Sequence, residues 1–259
     1  MTRRAWIVVS LFSLLWVGLG AGRLGAQEVP RYSVYLWAGV HPGGPDGYEQ
    51  ADSSEPFPVD DVRVVASLDA RYRARAAPVF GLGFEYRPSP HWGIGLEGEW
   101  VAGKAKGDMT LRLRVPEVPG FSLEARGSRD DFTYRRVGAN LYGAAYLNST
   151  LGVLVGLSLH SVTVEAVSDV DADFERQVIT RVDRKSDSGA VFGGFAGLRL
   201  GLPLEERLVL ELQPRVYVRL AGAPKGPFIG PVTDGVRVKE DFALKRVGFR
   251  VLAGLRFEF

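Results

Sequence analysis

From residue 32 to residue 259 the chain is written in period two. Apolar and polar positions alternate in eight stretches, and no stretch carries a convincing 3.6-residue repeat. The clearest is 242–259. Every second position there gives Val247, Phe249, Val251, Ala253, Leu255, Phe257 and Phe259, and the positions between give Arg246, Gly248, Arg250, Leu252, Gly254, Arg256 and Glu258. One face is wholly apolar. The other alternates glycine with charge, Leu252 excepted. Such a strand can cross a bilayer at a tilt, for which about 9–11 residues suffice.

The other seven stretches repeat the pattern. The first, 32–41, puts Val34, Leu36, Ala38 and Val40 on one face. The second sets Phe80, Leu82, Phe84 and Tyr86 against Gly81, Gly83, Glu85 and Arg87, and the third sets Trp92, Ile94, Leu96 and Trp100 against Gly93, Gly95, Glu97 and Glu99. The fourth carries Arg136, Asn140, Tyr142 and Tyr146 on its polar face, the fifth Ser158 and His160, the sixth Arg199, and the seventh Glu211, Gln213, Arg215, Tyr217 and Arg219.

Connections of two kinds alternate between them. Pro88–His91, Asn148–Thr150 and Pro203–Glu206 are short and turn-like; 42–61, 103–131, 168–188 and 221–241 are long and polar. Three short turns and four long loops join eight strands. Alternation continues past some strand ends: Val62, Val64, Ala66, Leu68, Ala70 and Tyr72 extend the second strand backwards, and Met109, Leu111 and Leu113 lead to a hairpin tip at 116–120. Several strands are therefore expected to project as a ribbon. If 62–75 were instead a separate strand the number would be ten; since only Pro78 interrupts it, eight is preferred.

Alternation alone does not say which face is inside, because a soluble, lipocalin-like barrel buries its apolar face and a membrane barrel exposes it. Three features favour the membrane arrangement. Glycine clusters on the charged face (Gly81, Gly83, Gly93, Gly95, Gly152, Gly156, Gly193, Gly197), where it weakens a wet strand but makes room in a narrow lumen. The charges there are glutamate and arginine, and arginine suits buried bidentate pairing with carboxylates. The lysines beyond residue 26 (104, 106, 185, 225, 239, 245) fall in loops or at strand ends. Aromatics, finally, end the apolar bands: Tyr86, Trp92, Phe257 and Phe259 near the short turns, Trp100 and Phe249 at the other rim, as in an interfacial girdle.

The first 26 residues read as a cleaved secretory signal: Arg3 and Arg4, an apolar run from Ala5 to Leu19, and Leu24-Gly25-Ala26 before Gln27. The barrel domain is then 27–259. Without the signal the formal charge falls from +2 to −1, so global charge gives no argument for nucleic acid. The absence of cysteine excludes a disulfide framework.

Taken together, the signal, the turn-and-loop alternation and the terminal stretch resemble the small eight-stranded bacterial outer-membrane barrels of the OmpA/OmpX type. The resemblance covers 27–259 and implies an all-β, antiparallel, up-and-down transmembrane β-barrel, with short periplasmic turns, long extracellular loops and residence in the bacterial outer membrane. The ending at 251–259 is similar to the signal read by the barrel-insertion machinery, and the resemblance assigns that role to Val251, Ala253, Leu255, Phe257 and Phe259. Outer-membrane lipid and lipopolysaccharide are the further partners it implies; a monomer is expected.

Candidate chemistry adds less. Glu85, Arg87, Glu97, Glu99, Arg136, Arg199, Glu211, Arg215, Arg250 and Arg256 would form an interior charge network. Paired, they plug the lumen; a small or gated pore is the alternative. His160-Ser161 invites comparison with lipid A-modifying barrel enzymes. Adjacent strand residues face opposite ways, however, and no motif surrounds Ser158, which shares the His160 face. No catalytic residue is assigned. Asp169, Asp171 and Asp173 lack the glycine and distal glutamate of a calcium loop, and no cofactor or metal is expected. Arg71, Arg73, Arg75, Arg112 and Arg114 are expected outside the membrane, either meeting lipopolysaccharide phosphates or solubilising the ribbon.

Overall fold

The computed structural model describes residues 32–41, 47–59, 61–224, 238–244 and 246–259, with side chains for all but 238–242. The signal expected at 1–26, with Lys225 and Lys245, lies outside them. The described residues form strands β1 (Tyr32–His41), β2 (Tyr48–Ser54), β3 (Phe57–Val59), β4 (Val62–Ala74), β5 (Ala77–Ser89) and β6 (Trp92–Arg114). The second half gives β7 (Ser122–Tyr146), β8 (Leu151–Asp173), β9 (Val178–Glu205), β10 (Leu208–Ala221), β11 (Val238–Leu244) and β12 (Val247–Glu258).

Eight of these close a ring in the order β1-β5-β6-β7-β8-β9-β10-β12 and back to β1, every pair antiparallel. The closing pair sets Val34 opposite Phe257 and Val40 opposite Val251. Three turns at one end are tight. In the β7–β8 turn the Asn148 side-chain Oδ1 accepts the Thr150 and Leu151 N–H groups at 2.9 and 2.7 Å, an Asx turn.

At the other end two of the expected long loops are mostly strand. β6 and β7 run on to Arg114 and Ser122, and β8 and β9 to Asp173 and Val178, leaving only 115–121 and 174–177 as connections. β7 has 25 residues, which at about 3.3 Å each far exceed a hydrocarbon core of about 30 Å. The excess stands clear of the membrane, where both faces of a strand can be polar and the apolar alternation fades.

The 62–74 segment bears out the count of eight. β4 pairs with 105–114 of β6 and β5 with 92–101, so the two make one wall with a step at Arg75-Ala76. β2 continues β1 in the same way, and β11 continues β12. Above the ring, β11-β2-β4-β6-β7 form one sheet and the β8–β9 hairpin packs against it. Tyr48 and Tyr72 stack at 4.3 Å between ring centres, with Phe132 edge-on to Tyr72 at 4.9 Å. Across from them lie buried Val164, Ala166 and Val167. The Tyr48 hydroxyl donates to the Glu165 carbonyl, the Gln50 amide to the Val167 carbonyl at 2.9 Å, and the Val167 N–H to the Tyr72 hydroxyl at 2.9 Å. A register shift at Val167–Asp169 adjoins these contacts. Buried tyrosine satisfies its hydroxyl while its ring fills space, so the projection has a core of its own.

Candidate functional site

The inward-facing positions of the ring carry arginine, glutamate and aromatic rings in three tiers. Nearest the short turns, Glu85 pairs with Arg87 at 2.9 Å, Arg87 with Glu258 at 3.1 Å and Glu258 with Arg256 at 2.7 Å. Arg256 then pairs with Glu211 at 2.7 Å, Glu211 with Arg199 at 3.4 Å and Arg199 with Glu85 at 2.5 Å. Three arginines and three glutamates thus alternate in a closed circuit, drawn from β5, β9, β10 and β12. Tyr142 and Tyr146 donate to Glu85 from the β7 side. The circuit is charge-neutral and spans the lumen.

In the middle tier Arg215 grips both carboxylate oxygens of Glu97, which also accepts from Asn140 at 2.7 Å and Tyr35 at 3.1 Å. The Tyr35 and Tyr142 hydroxyls, 2.7 Å apart, join this pair to the circuit below. In the outer tier Glu99 pairs with Arg250, takes the Tyr217 hydroxyl at 3.0 Å and lies 3.9 Å from Arg136. Burying so many charges is tolerable only because they are paired and hydrogen-bonded.

The glycines make the rings fit. A methyl group at Gly83 would lie 2.1 Å from the Tyr35 ring, and one at Gly95 2.2 Å from the Tyr142 ring. Each aromatic lies flat on the bare backbone of a neighbouring strand. That close approach is why glycine sits on the charged face.

His160 belongs to the outer tier. Arg136 Nη2 lies 2.9 Å from His160 Nδ1, and His160 Nε2 faces Glu99 at 3.4 Å. A guanidinium only donates, so Nδ1 carries the lone pair and Nε2 the proton. The nitrogen that could act as a base is therefore already occupied. Ser158 is buried on the same face; Ser161 is exposed on the other.

The outward face is the reverse of a soluble protein's. Leu36, Leu82, Leu96, Leu141 and Leu159 are 54–59% exposed, while Glu97, Arg199 and Arg215 are at most 2% exposed. A continuous apolar belt of this kind circles every strand of the ring, and water would not tolerate it. In lipid only helices and closed barrels satisfy their own backbone, and this sheet closes.

The chain is a membrane-spanning β-barrel.

The barrel's belt is edged by aromatics. Tyr32, Tyr86, Phe257 and Phe259 are exposed at the short-turn rim, Tyr32 and Tyr86 with ring centres 5.3 Å apart. Phe80 and Trp100 stack at 5.9 Å toward the other rim, where Phe249 is also exposed. Trp92 is half-buried. Val251, Ala253, Leu255 and Phe257 face outward on β12, and Phe259 just beyond it is exposed.

Among solved structures the barrel is similar to Ail, the attachment invasion locus protein of Yersinia pestis, at 12% identity and a TM-score of 0.36, covering 88% of this chain and 100% of that one. It is similar to the outer membrane protease OmpT from Escherichia coli at 8% identity and a TM-score of 0.36, covering 91% and 99%. Neisserial surface protein A gives 14% identity and a TM-score of 0.32, covering 87% and 97%. No protein-family model matches the sequence, and no curated protein matches it.

Of the arginines expected outside the membrane, two are engaged on the ribbon itself. Arg75 pairs with Asp130 at 2.6 Å, and Arg112 with Asp69 at 2.6 Å and Glu124 at 3.0 Å. Arg71, Arg73 and Arg114 make no ion pair among the described residues, and neither does Arg135, on the outer face just above the belt. Asp171 and Asp173 lie near Arg181 and Arg176. Among the described residues no three groups converge as a metal site requires.

Sequence reasoning placed the ten charged residues on one face with Tyr142, Tyr146 and Tyr217 beside them, but gave those hydroxyls no role and did not single out Tyr35. Tyr35, Tyr142, Tyr146 and Tyr217 each bind a carboxylate. Their signal was present in the sequence, as tyrosine recurring at charged-face positions.

Proposed function

We propose that this barrel is a non-enzymatic, non-conducting component of the outer membrane, whose outward projection meets lipopolysaccharide. The observation that carries the reading is the neutral arginine–glutamate circuit across the lumen. An ion entering from the short-turn end meets no unpaired charge and no gap in the circuit. The tyrosine core of the projection is a second obstruction at the far end. The occupied base nitrogen of His160 argues against a serine hydrolase built on Ser158. Arg71, Arg73 and Arg135, exposed and outside ion pairs among the described residues, would offer their guanidinium groups to lipid A phosphates. The outward face at 251–259 would be the contact for the insertion machinery.

Planar-bilayer recording of the purified barrel tests the plug. No steady unitary conductance is expected, and a steady one at neutral pH would overturn it. The surface role is tested by binding to vesicles containing lipopolysaccharide. Replacing Arg71, Arg73 and Arg135 together by glutamine should weaken binding and leave lumenal stability unchanged. Undiminished binding would remove these residues from the role.

A further inference from the structure

The projection carries a cleft on its outer wall. Where β2, β4, β6 and β7 run side by side, about 790 Å³ opens on the face turned away from the tyrosine core. The sheet register builds it in rungs. Glu49, Arg71, Asp108 and Ser128 lie opposite one another on successive strands, and Ala51, Asp69, Thr110 and Arg126 form the next rung out. The short side chains of Ala51, Thr110 and Ser128 leave the hollow, and the arginines and acids stand around it.

Part of the wall is fixed by its own pairs. Arg112 holds Asp69 at 2.6 Å and Glu124 at 3.0 Å, and Glu124 holds Arg126 at 2.5 Å. Asp108 takes the Ser128 hydroxyl at 2.9 Å and pairs with Lys106 at 3.3 Å. Arg71 and Arg73, two positions apart on β4, are exposed and make no ion pair among the described residues. Two guanidiniums on one face suit a phosphate, which they can grip through paired N–H donors. Asp69 and Asp108 are acceptors only, so they suit hydroxyls. A ligand that brings one phosphate and many hydroxyls satisfies both sets.

Other classes fit worse. Inorganic phosphate, a few times a water's share of about 30 Å³, would leave most of the cleft empty, whereas roughly 300–1,000 Å³ is the size of an organic ligand site. A densely sulfated chain would meet the carboxylates of Glu49, Asp69 and Asp108. An apolar ligand finds only Ala51 among the described outward-facing side chains of the cleft. An extended peptide would need an open strand edge, and β2, β4 and β6 each carry a strand on both sides.

We propose that this cleft binds a phosphorylated oligosaccharide, and that the occupant is the sugar portion of lipopolysaccharide in the barrel's own leaflet; the choice of source rests on the reading that the projection meets lipopolysaccharide. The cleft opens on the side wall, not at the tip. Its rungs lie six to ten residues beyond Trp100 on β6, about 20–33 Å along the strand. Arg73, opposite Lys106, stands toward the lipid, and Asp69 and Thr110 stand farther out. A sugar chain rising from its lipid anchor would pass them in that order.

The test is isothermal calorimetry on the full barrel in zwitterionic detergent, with the oligosaccharide that mild acid frees from lipid A. The parent should bind it saturably. Thr110→Trp, which fills the hollow, should weaken binding tenfold or more, and Ser128→Trp on the next strand should do the same. Heat-modifiable gel migration shows whether each variant is folded. Arg63→Gln, on β4 beyond the cleft, should bind as the parent does. Stripping phosphate from the oligosaccharide should weaken binding by the parent and leave the already weaker binding of Arg71→Gln/Arg73→Gln unchanged. Equal binding by the parent and the folded tryptophan variants would overturn the site. Binding to lipopolysaccharide vesicles with none to the freed oligosaccharide would overturn this proposal alone; binding to neither would overturn the surface role with it.

Discussion

At the scale of single residues, the lumen shows how little freedom a narrow barrel leaves a charge. Glu97 accepts from Arg215, Asn140 and Tyr35 together, and among the described residues Glu97 is the one carboxylate that Arg215 pairs with. Glu97→Gln should therefore leave a buried guanidinium uncompensated and cost about 3–5 kcal/mol of unfolding free energy. Adding Arg215→Met to it should recover most of the loss, because the pair then leaves together. Urea unfolding followed by gel migration in lipid would measure both; a single variant as stable as the parent would show that the pair contributes nothing. The charged identities were legible from spacing alone, since arginine and glutamate fell on alternate positions. Their partners were not. Arg215 and Glu97 are 118 residues apart, and Arg199 and Glu85 are 114 apart. Only ring closure and tilt decide which inward residues share a level.

At the scale of elements, strands inside the membrane announced themselves and strands beyond it did not. β10 and β12 alternate cleanly because one face must be apolar for lipid. The outer halves of β8 and β9 read as a loop because Asp169, Asp171, Arg181 and Asp183 face water and one another rather than lipid. What holds them to the rest is the tyrosine core. Burial pushes the Tyr48 and Tyr72 hydroxyls well above the ordinary tyrosine value. A raised folded-state value means the stabilisation is whole below the unfolded pKa of about 10 and declines as pH climbs past it. Protease nicking of the β8–β9 hairpin should consequently begin above pH about 10, while the membrane-embedded strands stay protected. Tyrosinate absorbance would follow the same transition. Nicking that is unchanged up to the pH of global unfolding would mean the hairpin is held by something else.

For the whole molecule, the eight-stranded ring and its inversion were readable because each strand repeats one message: apolar out, charge and glycine in. The extent of the projection was not, and neither was the step that divides β4 from β5 at Arg75-Ala76 within one wall. Phe259, exposed at the short-turn rim, is bonded through its backbone to Tyr32 in both directions, at 2.8 and 3.5 Å. Removing Phe259 should lower the amount of inserted barrel several-fold while leaving the inserted fraction as stable as the parent. Membrane fractionation and gel migration would separate these effects, and unaltered insertion would remove the assembly role from this residue.

The closed circuit of arginines and glutamates also has a bearing on timing. Two of its six members, Arg256 and Glu258, come from β12, the strand that follows all the others in the chain. Until β12 docks against β1, Arg87 lacks Glu258 and Glu211 lacks Arg256, so a seven-stranded sheet entering lipid would carry half-matched charges. The same residues that obstruct the finished lumen thereby penalise every incomplete one. Membrane entry and ring closure become a single event, with the last hairpin as its proofreading step.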